Sequence, residues 1–334
     1  MASRPEAAVG YCAVGDALRL QTALDEAMHY YKKSLLLDPK YARAYTNLGL
    51  TLEGKGLIDE AIANYRKAIP LDPAYSWSYF DLGNALRAKG LFDEAGENYH
   101  KAVMLDPTNT RARDGVRGVL IRHGRVEEVW AGWRKTLEAD PRDVDDWIGY
   151  GQLSLFLGRQ DEYRRARHEL LERFGSSKDQ FVAERTGRAC LLLPFDGDEL
   201  QKAVILVDRA VAAKSSTEPW VYQYFLFAKG LAEYRQGRFD AAIALMEGGA
   251  SKVMGPCPRL VVAMAQYQKG DSDAARKLLA AAIDPFDWSA PGADRRDLWI
   301  WHAIRREAEE MILSNLSAFY REAIGPGIPT SGWP

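Results

Sequence analysis

The chain has 334 residues, of which 47% are hydrophobic, enough to bury a continuous core. Lys and Arg number 44 against 46 Asp and Glu, a net charge of -2, so no global field directs the chain to nucleic acid or to a membrane surface, and neither is expected as a partner. The odd and widely spaced cysteines Cys12, Cys190 and Cys257 exclude a disulfide framework; with no signal-like or membrane-length apolar run, a reducing, cytoplasmic setting is expected.

The first element reads as a helical hairpin from about Ala8 to Pro39, with Tyr11, Gly15, Leu18, Ala27 and Tyr31 at helical spacing and Thr22 at the turn. The second, Ala42 to Pro73, restates it. Tyr45, Leu48, Gly49 and Leu52 share a face of its first helix. Gly56 ends that helix, where a residue without a Cβ takes the left-handed conformation cheaply. Asp59 and Glu60 place negative charge at the start of a second helix striped by Ala61, Tyr65 and Ala68, and Asp72-Pro73 stops it. The third hairpin repeats the set with Tyr79, Leu82, Gly83, Leu86, Gly90, Ala95, Tyr99, Ala102 and Pro107. Small residues at Gly15, Ala27, Gly49, Ala61, Gly83 and Ala95 predict close helix contacts with aromatic rings beside them.

Two further hairpins follow in degenerate form. From Thr110 to Pro141, Arg117 and Val129 replace the small residues and Trp133 keeps the aromatic place. From about Val144, Trp147, Gly151 and Gly158 are in position and Tyr163 replaces a small residue. The prolines Pro39, Pro73, Pro107 and Pro141 and the glycines Gly56, Gly90, Gly124 and Gly158 all recur at the same step, which means stacked copies of one supersecondary unit.

The period then loosens. Residues 176–294 read as irregular units of the same kind: a helix from about Phe181 to Leu193, then helices carrying Ala203 and Ala210, then Gly230, Gly237 and Ala242, then Ala263, Gly270, Ala275 and Ala282. The stretch 295–323, with Leu298, Trp301, Ile304, Ala308, Met311 and Ile312 at helical spacing, is expected to cap the stack, and 324–334 has the composition of a flexible tail, with Trp333 as its one large anchor.

The tyrosine, glycine, alanine and proline positions of residues 8–175 resemble tetratricopeptide repeats, most closely in copies two and three. The resemblance implies an all-α solenoid of about eight helix-turn-helix units in a right-handed superhelix. It also implies that the first helices line a concave groove. There the candidate partner-binding residues are Arg43, Asn47, Trp77, Phe80, Asp81, Asn84, Arg87 and Arg111, with Thr46, Leu50 and Asp114 beside them. Arg43 with Asn47 resembles part of the clamp by which chaperone-binding members hold a C-terminal carboxylate; Val9 and Ala13 in copy one and Trp77 and Asp81 in copy three depart from that pattern. The last third, including FAKGLAEYRQGRFDAAIAL, resembles the degenerate C-terminal tetratricopeptide region of planctomycete-type bacterial serine/threonine kinases, without VAIK, HRD or DFG.

No catalytic constellation accompanies the repeats. The five histidines have no metal-ligand spacing, and GxSxG, P-loop and dinucleotide fingerprints are missing from the sequence. No catalytic, metal or cofactor-binding residue is predicted, and no enzyme. The arginines of copies four and five (Arg111, Arg113, Arg117, Arg122, Arg125, Arg159, Arg164, Arg165 and Arg167) alternate with acids, as a solvated face does, although arginine could also grip a carboxylate. The expectation is a non-catalytic scaffold that binds a peptide or partner protein in the groove. Head-to-tail self-association and a regulatory subunit of a kinase-like system are the alternatives.

Overall fold

A computed structural model describes residues 5–138, 143–213, 218–286, 288 and 297–314. Among these residues the regular secondary structure is all α-helix, in seventeen helices. Pro141, the tail 324–334 and residues 315–323 of the expected last helix lie outside the described residues. The chain divides into two compact units, Met1–Val129 and Trp130–Pro334.

In the first unit the helices pair in sequence order: α1 (Pro5–Leu20) with α2 (Leu24–Leu37), α3 (Ala42–Gly54) with α4 (Ile58–Leu71), and α5 (Ser76–Ala88) with α6 (Phe92–Leu105); α7 (Thr110–Arg122) then packs on α6. The turn inside each pair follows from one left-handed residue. At Gly56 φ is +76° and at Gly90 +79°. In the first of these turns the Gly56 N–H donates to the Glu53 carbonyl at 2.8 Å and the Leu57 N–H to the Leu52 carbonyl at 2.9 Å, satisfying carbonyls that the helix end would leave open. Thr22 takes the same conformation, φ +62°, without glycine's freedom.

The second-helix tyrosines Tyr31, Tyr65 and Tyr99 form the core, with at most 1% exposure, whereas Tyr11, Tyr45 and Tyr79 of the first helices are only half-buried. Each core ring lies directly on a glycine. A Cβ at Gly15 would meet Tyr31 at 2.6 Å, one at Gly49 would meet Tyr65 at 2.5 Å, and one at Gly83 would meet Tyr99 at 2.7 Å. The glycines are therefore seats for aromatic rings. Ala27, Ala61 and Ala95 are fully buried beside them. Pro39, Pro73 and Pro107 are exposed and follow the aspartates that end α2, α4 and α6. The helix-start acids also reach forward: Asp25 pairs with Lys55, Asp59 with Lys89, and Asp93 with His123 at 2.9 Å, all on the exposed surface, where such pairs contribute little each.

α8 (Val126–Glu138) is followed by four more pairs in the second unit: α9 (Val144–Phe156) with α10 (Gln160–Phe174), α11 (Gln180–Cys190) with α12 (Gly197–Ala212), α13 (Pro219–Arg235) with α14 (Phe239–Glu247), and α15 (Cys257–Gln268) with α16 (Ser272–Ile283). Gly149 seats the Trp133 ring, which a Cβ would meet at 2.4 Å; Gly151 stands against Ala166 and Tyr163. Tyr163 is buried and donates from its hydroxyl to the Ala189 and Cys190 carbonyls at 2.9 and 2.7 Å.

The last helix, α17 (Asp297–Leu313), packs on α15 and α16 at the end of the stack, as a cap does, and also on α9. Trp299, Ile300, Ala303, Ile304, Ala308 and Ile312 are its buried stripe. Glu307 forms a buried ion pair with Arg235 of α13, whose guanidinium also donates to the Leu191 and Leu192 carbonyls at 2.8 and 3.0 Å. Arg306 donates to the Leu155 and Phe156 carbonyls at 3.2 Å, placing a cation at the negative end of α9. α17 thus fills the face that the first helices of this unit present.

Candidate partner-binding face

In the first unit the corresponding face, made by α1, α3, α5 and α7, carries no further helix among the described residues. All eight sequence-predicted groove residues stand on α3, α5 or α7. The structure joins them into three successive clusters, each one repeat further along.

In the first cluster Arg43 Nη2 donates to Asp16 Oδ2 at 2.8 Å, while Asn47 Nδ2 and the Tyr31 hydroxyl both donate to Asp16 Oδ1, at 2.6 and 2.8 Å. Asp16 raises the Arg43 pKa, and the Tyr31 pKa is raised by burial and by the same carboxylate. This arrangement explains why Arg43 and Asn47 are not a free carboxylate clamp: the protein supplies its own carboxylate. Asp16 lies 27 residues before Arg43 on another helix, and its position in copy one held no marked residue of the repeat pattern.

In the third cluster the Tyr99 hydroxyl donates to Asn84 Oδ1 at 2.9 Å and receives Arg87 Nε at 3.3 Å. Asn84 holds the place of Asp16 two repeats earlier, and Arg111 that of Arg43. Because Asn84 is neutral, Arg111 has no carboxylate there; it is exposed and has no ion pair among the described residues. The Tyr99 ring lies between Gly83 and Gly115, with a Cβ at Gly115 meeting it at 2.7 Å. Gly115, like Gly149, escaped the sequence reading, because its neighbour is a ring in the preceding repeat.

The middle cluster differs. Leu50 stands where Asp16 and Asn84 stand, Glu53 where Arg19 and Arg87 stand, Trp77 where Arg43 and Arg111 stand, and Asp81 where Asn47 and Gly115 stand. Trp77 is 37% exposed and meets Phe80 edge-on, with centroids 5.6 Å apart; Phe80 in turn leans on Tyr99. Asp81 is 7% exposed and makes no hydrogen bond or ion pair among the described residues. Burial first, then the Glu53 charge, push its carboxyl up to about 7, against the opposing pull of Arg19 and Arg111. Glu53 is also raised by burial, offset by the hydrogen bond it accepts from the Tyr65 hydroxyl. The Thr46 and Ser78 hydroxyls, 2.9 Å apart, tie α3 to α5 beneath this cluster.

The arginines of copies four and five are mostly occupied locally. Arg117 pairs with Asp114, Arg125 with Glu128, Arg164 with Asp161 and Arg167 with Glu199, at 2.6–3.1 Å. Arg122 stacks on Phe92 at 3.6 Å and Arg159 on Trp130 at 3.8 Å. Cys12, Cys190 and Cys257 are buried thiols, with pKa values raised chiefly by desolvation, Cys12 to about 11. Among the described residues no group of His, Cys, Asp and Glu is arranged to hold a metal ion, and no helix is long and apolar enough to cross a membrane.

Residues 15–56 and 54–90 match the family model of the TPR repeat, and residues 76–109 that of the tetratricopeptide repeat. The stretch from residue 15 to residue 109 is therefore built of tetratricopeptide repeats. The APC/C hetero-tetramer Cut9-Hcn1 aligns over 89% of this chain and 55% of its own at 15% identity with a TM-score of 0.50, a likeness of fold. MamA aligns over 51% of this chain and 93% of its own, at 25% identity and a TM-score of 0.44. The first TPR of Spaghetti (RPAP3), solved bound to the HSP90 peptide SRMEEVD, aligns over 36% of this chain and 94% of its own, at 24% identity and a TM-score of 0.35. No curated protein matches the chain.

Proposed function

We propose that the chain is a non-catalytic protein–protein interaction scaffold whose first-helix face in residues 1–129 receives an extended segment of a partner protein. Tetratricopeptide repeats in this unit support the mode of action. The observation that carries the reading is Trp77: a large indole, more than a third exposed, held edge-on by Phe80 on a face that no described helix covers. Aromatic anchors flanked by amide and charged groups are the composition of energetic centres in interfaces. The contrast with the second unit is physical. There α17 lies on the first helices, so a partner segment has its place on the first unit instead.

Short random peptides displayed against the full chain test this. Peptides selected by the wild-type chain should lose most of their binding to a Trp77→Ala variant that unfolds at the wild-type temperature. Equal binding to both proteins would place recognition elsewhere. Light scattering over a concentration range separates the reading from self-association: a scaffold of this kind stays monomeric, whereas a growing mass would favour assembly.

A further inference from the structure

We propose that Leu50, Glu53, Trp77 and Asp81 form a receptor for one lysine or arginine side chain of the partner segment, so that the ligand is basic at this position. The inference rests on the peptide-binding reading above and specifies its chemistry.

The argument is one of register. On the same face, one repeat before and one after, the acceptor of the cluster is satisfied within the protein, although Arg111 of the later one stays exposed. Asp16 is neutralised by Arg43 and hydrogen-bonded by Asn47 and Tyr31; Asn84 needs no counter-charge and is held by Tyr99. In the middle cluster the cation of the pattern is gone twice over. Trp77 replaces the arginine of the neighbouring copies, and Glu53 replaces Arg19 and Arg87. Asp81 adds a second carboxylate where its counterparts are an amide and a glycine.

The result is an acid, 7% exposed, with no hydrogen bond or ion pair among the described residues, under the influence of Glu53 on α3, Arg19 on α1 and Arg111 on α7. Asp81 lies one helical turn after the exposed Trp77 on α5, so the two share the face that α1, α3 and α7 also line. Tyr65 of α4 and Tyr75, just before α5, feel the same carboxylate. Buried carboxylates without partners are costly, and a ligand cation removes that cost by pairing with them. A lysine or arginine fits the remaining features. Its aliphatic stem covers Leu50 and the Trp77 indole while its charged end reaches the two carboxylates. A C-terminal carboxylate, by contrast, would meet like charge here.

The test again uses the full chain and displayed short peptides. Selected peptides should share a lysine or arginine between apolar residues. The tightest of them and its lysine-to-norleucine counterpart are then titrated against the wild-type chain and against Glu53→Gln/Asp81→Asn. The lysine should be worth about tenfold in affinity or more on the wild type and close to nothing on the variant, as for a charged hydrogen bond gained and lost. Binding of the lysine peptide should strengthen as the pH rises through about 7, where Asp81 ionises, and norleucine binding should not. Because the decisive change is made in the peptide, a folding defect cannot imitate the result. Enrichment of acidic or carboxylate-dependent peptides, or a lysine preference unchanged in the variant, overturns the inference. Peptides that need Trp77 but ignore the lysine leave the binding face standing and remove only this receptor. Peptides indifferent to Trp77→Ala, or no enrichment at all, defeat both.

Discussion

Gly115 on α7 lies flat against the ring of Tyr99 on α6, so close that a Cβ would stand 2.7 Å from the ring atoms. The contact joins one repeat to the next, as the Gly83 contact on the opposite side joins the two helices of one repeat. A buried tyrosine clamped between two glycines has nowhere to move, since interiors are close-packed.

Gly115→Ala should therefore destabilise the first unit by about 1–3 kcal/mol through overpacking. Gly10, also helical, has open space around its Cβ position, and Gly10→Ala should stabilise by about 0.5–1 kcal/mol through the helix preference alone. Chemical denaturation of the two variants measures the contrast. Equal effects would mean that Tyr99 does not occupy the seat described.

Thr22 is a β-branched residue held at φ +62°, in the turn where later copies use glycine. Thr22→Gly relieves that strain and should raise stability by about 1 kcal/mol, net of the hydroxyl contact to the Gln21 carbonyl. The converse change, Gly56→Ala, imposes the strain in open space and should cost about the same. Thermal unfolding followed by circular dichroism reads both.

Arg235 and Glu307 are paired at 3% and 10% side-chain exposure, and the pair fastens α17 to α13. Arg235→Met leaves the Glu307 carboxylate buried without a counter-charge, at a cost of about 3–5 kcal/mol. Adding Glu307→Leu should recover much of the loss, because two apolar residues of similar volume need no pairing. Amide exchange in α17 is the direct readout: fast in the single variant, slow again in the double one.

His302 sits against Phe156 and Trp288, and its pKa is lowered to about 4 by burial and by Arg305 and Arg306. A histidine held neutral in the folded state stabilises fully above its unfolded pKa, near 6.5, and loses that contribution as the pH falls toward 4. Acidification should cost the second unit about 2 kcal/mol over this window, and His302→Gln should flatten the dependence.

Asp81 predicts the opposite slope in the first unit. Its pKa is raised from 3.8 to about 7, so its contribution is most favourable at low pH and is lost as the pH rises through 7. The advantage of Asp81→Asn over wild type should grow between those values and level off above them, reaching about 1–3 kcal/mol. A variant no more stable than wild type at alkaline pH would show that the carboxylate is solvated.

The sequence by itself determined the repeating hairpin. A 34-residue step of proline, from Pro39 to Pro141, and of turn glycine, from Gly56 to Gly158, is local information, because a left-handed residue and a missing N–H act on their own segment whatever surrounds them. It also marked Gly49 and Gly83 as close contacts, since the aromatic partner lies in the same hairpin. Contacts between hairpins were decided only by the tertiary structure. Asp16 is matched to Arg43, Gly115 to Tyr99 and Arg306 to the end of α9 across helices whose relative placement no periodicity encodes. The apolar stripe of α17 announced burial but not against what, because hydrophobic burial is non-directional. Its polar residues, Arg306 and Glu307, select the partner face through hydrogen bonds that exist only once the helices have met.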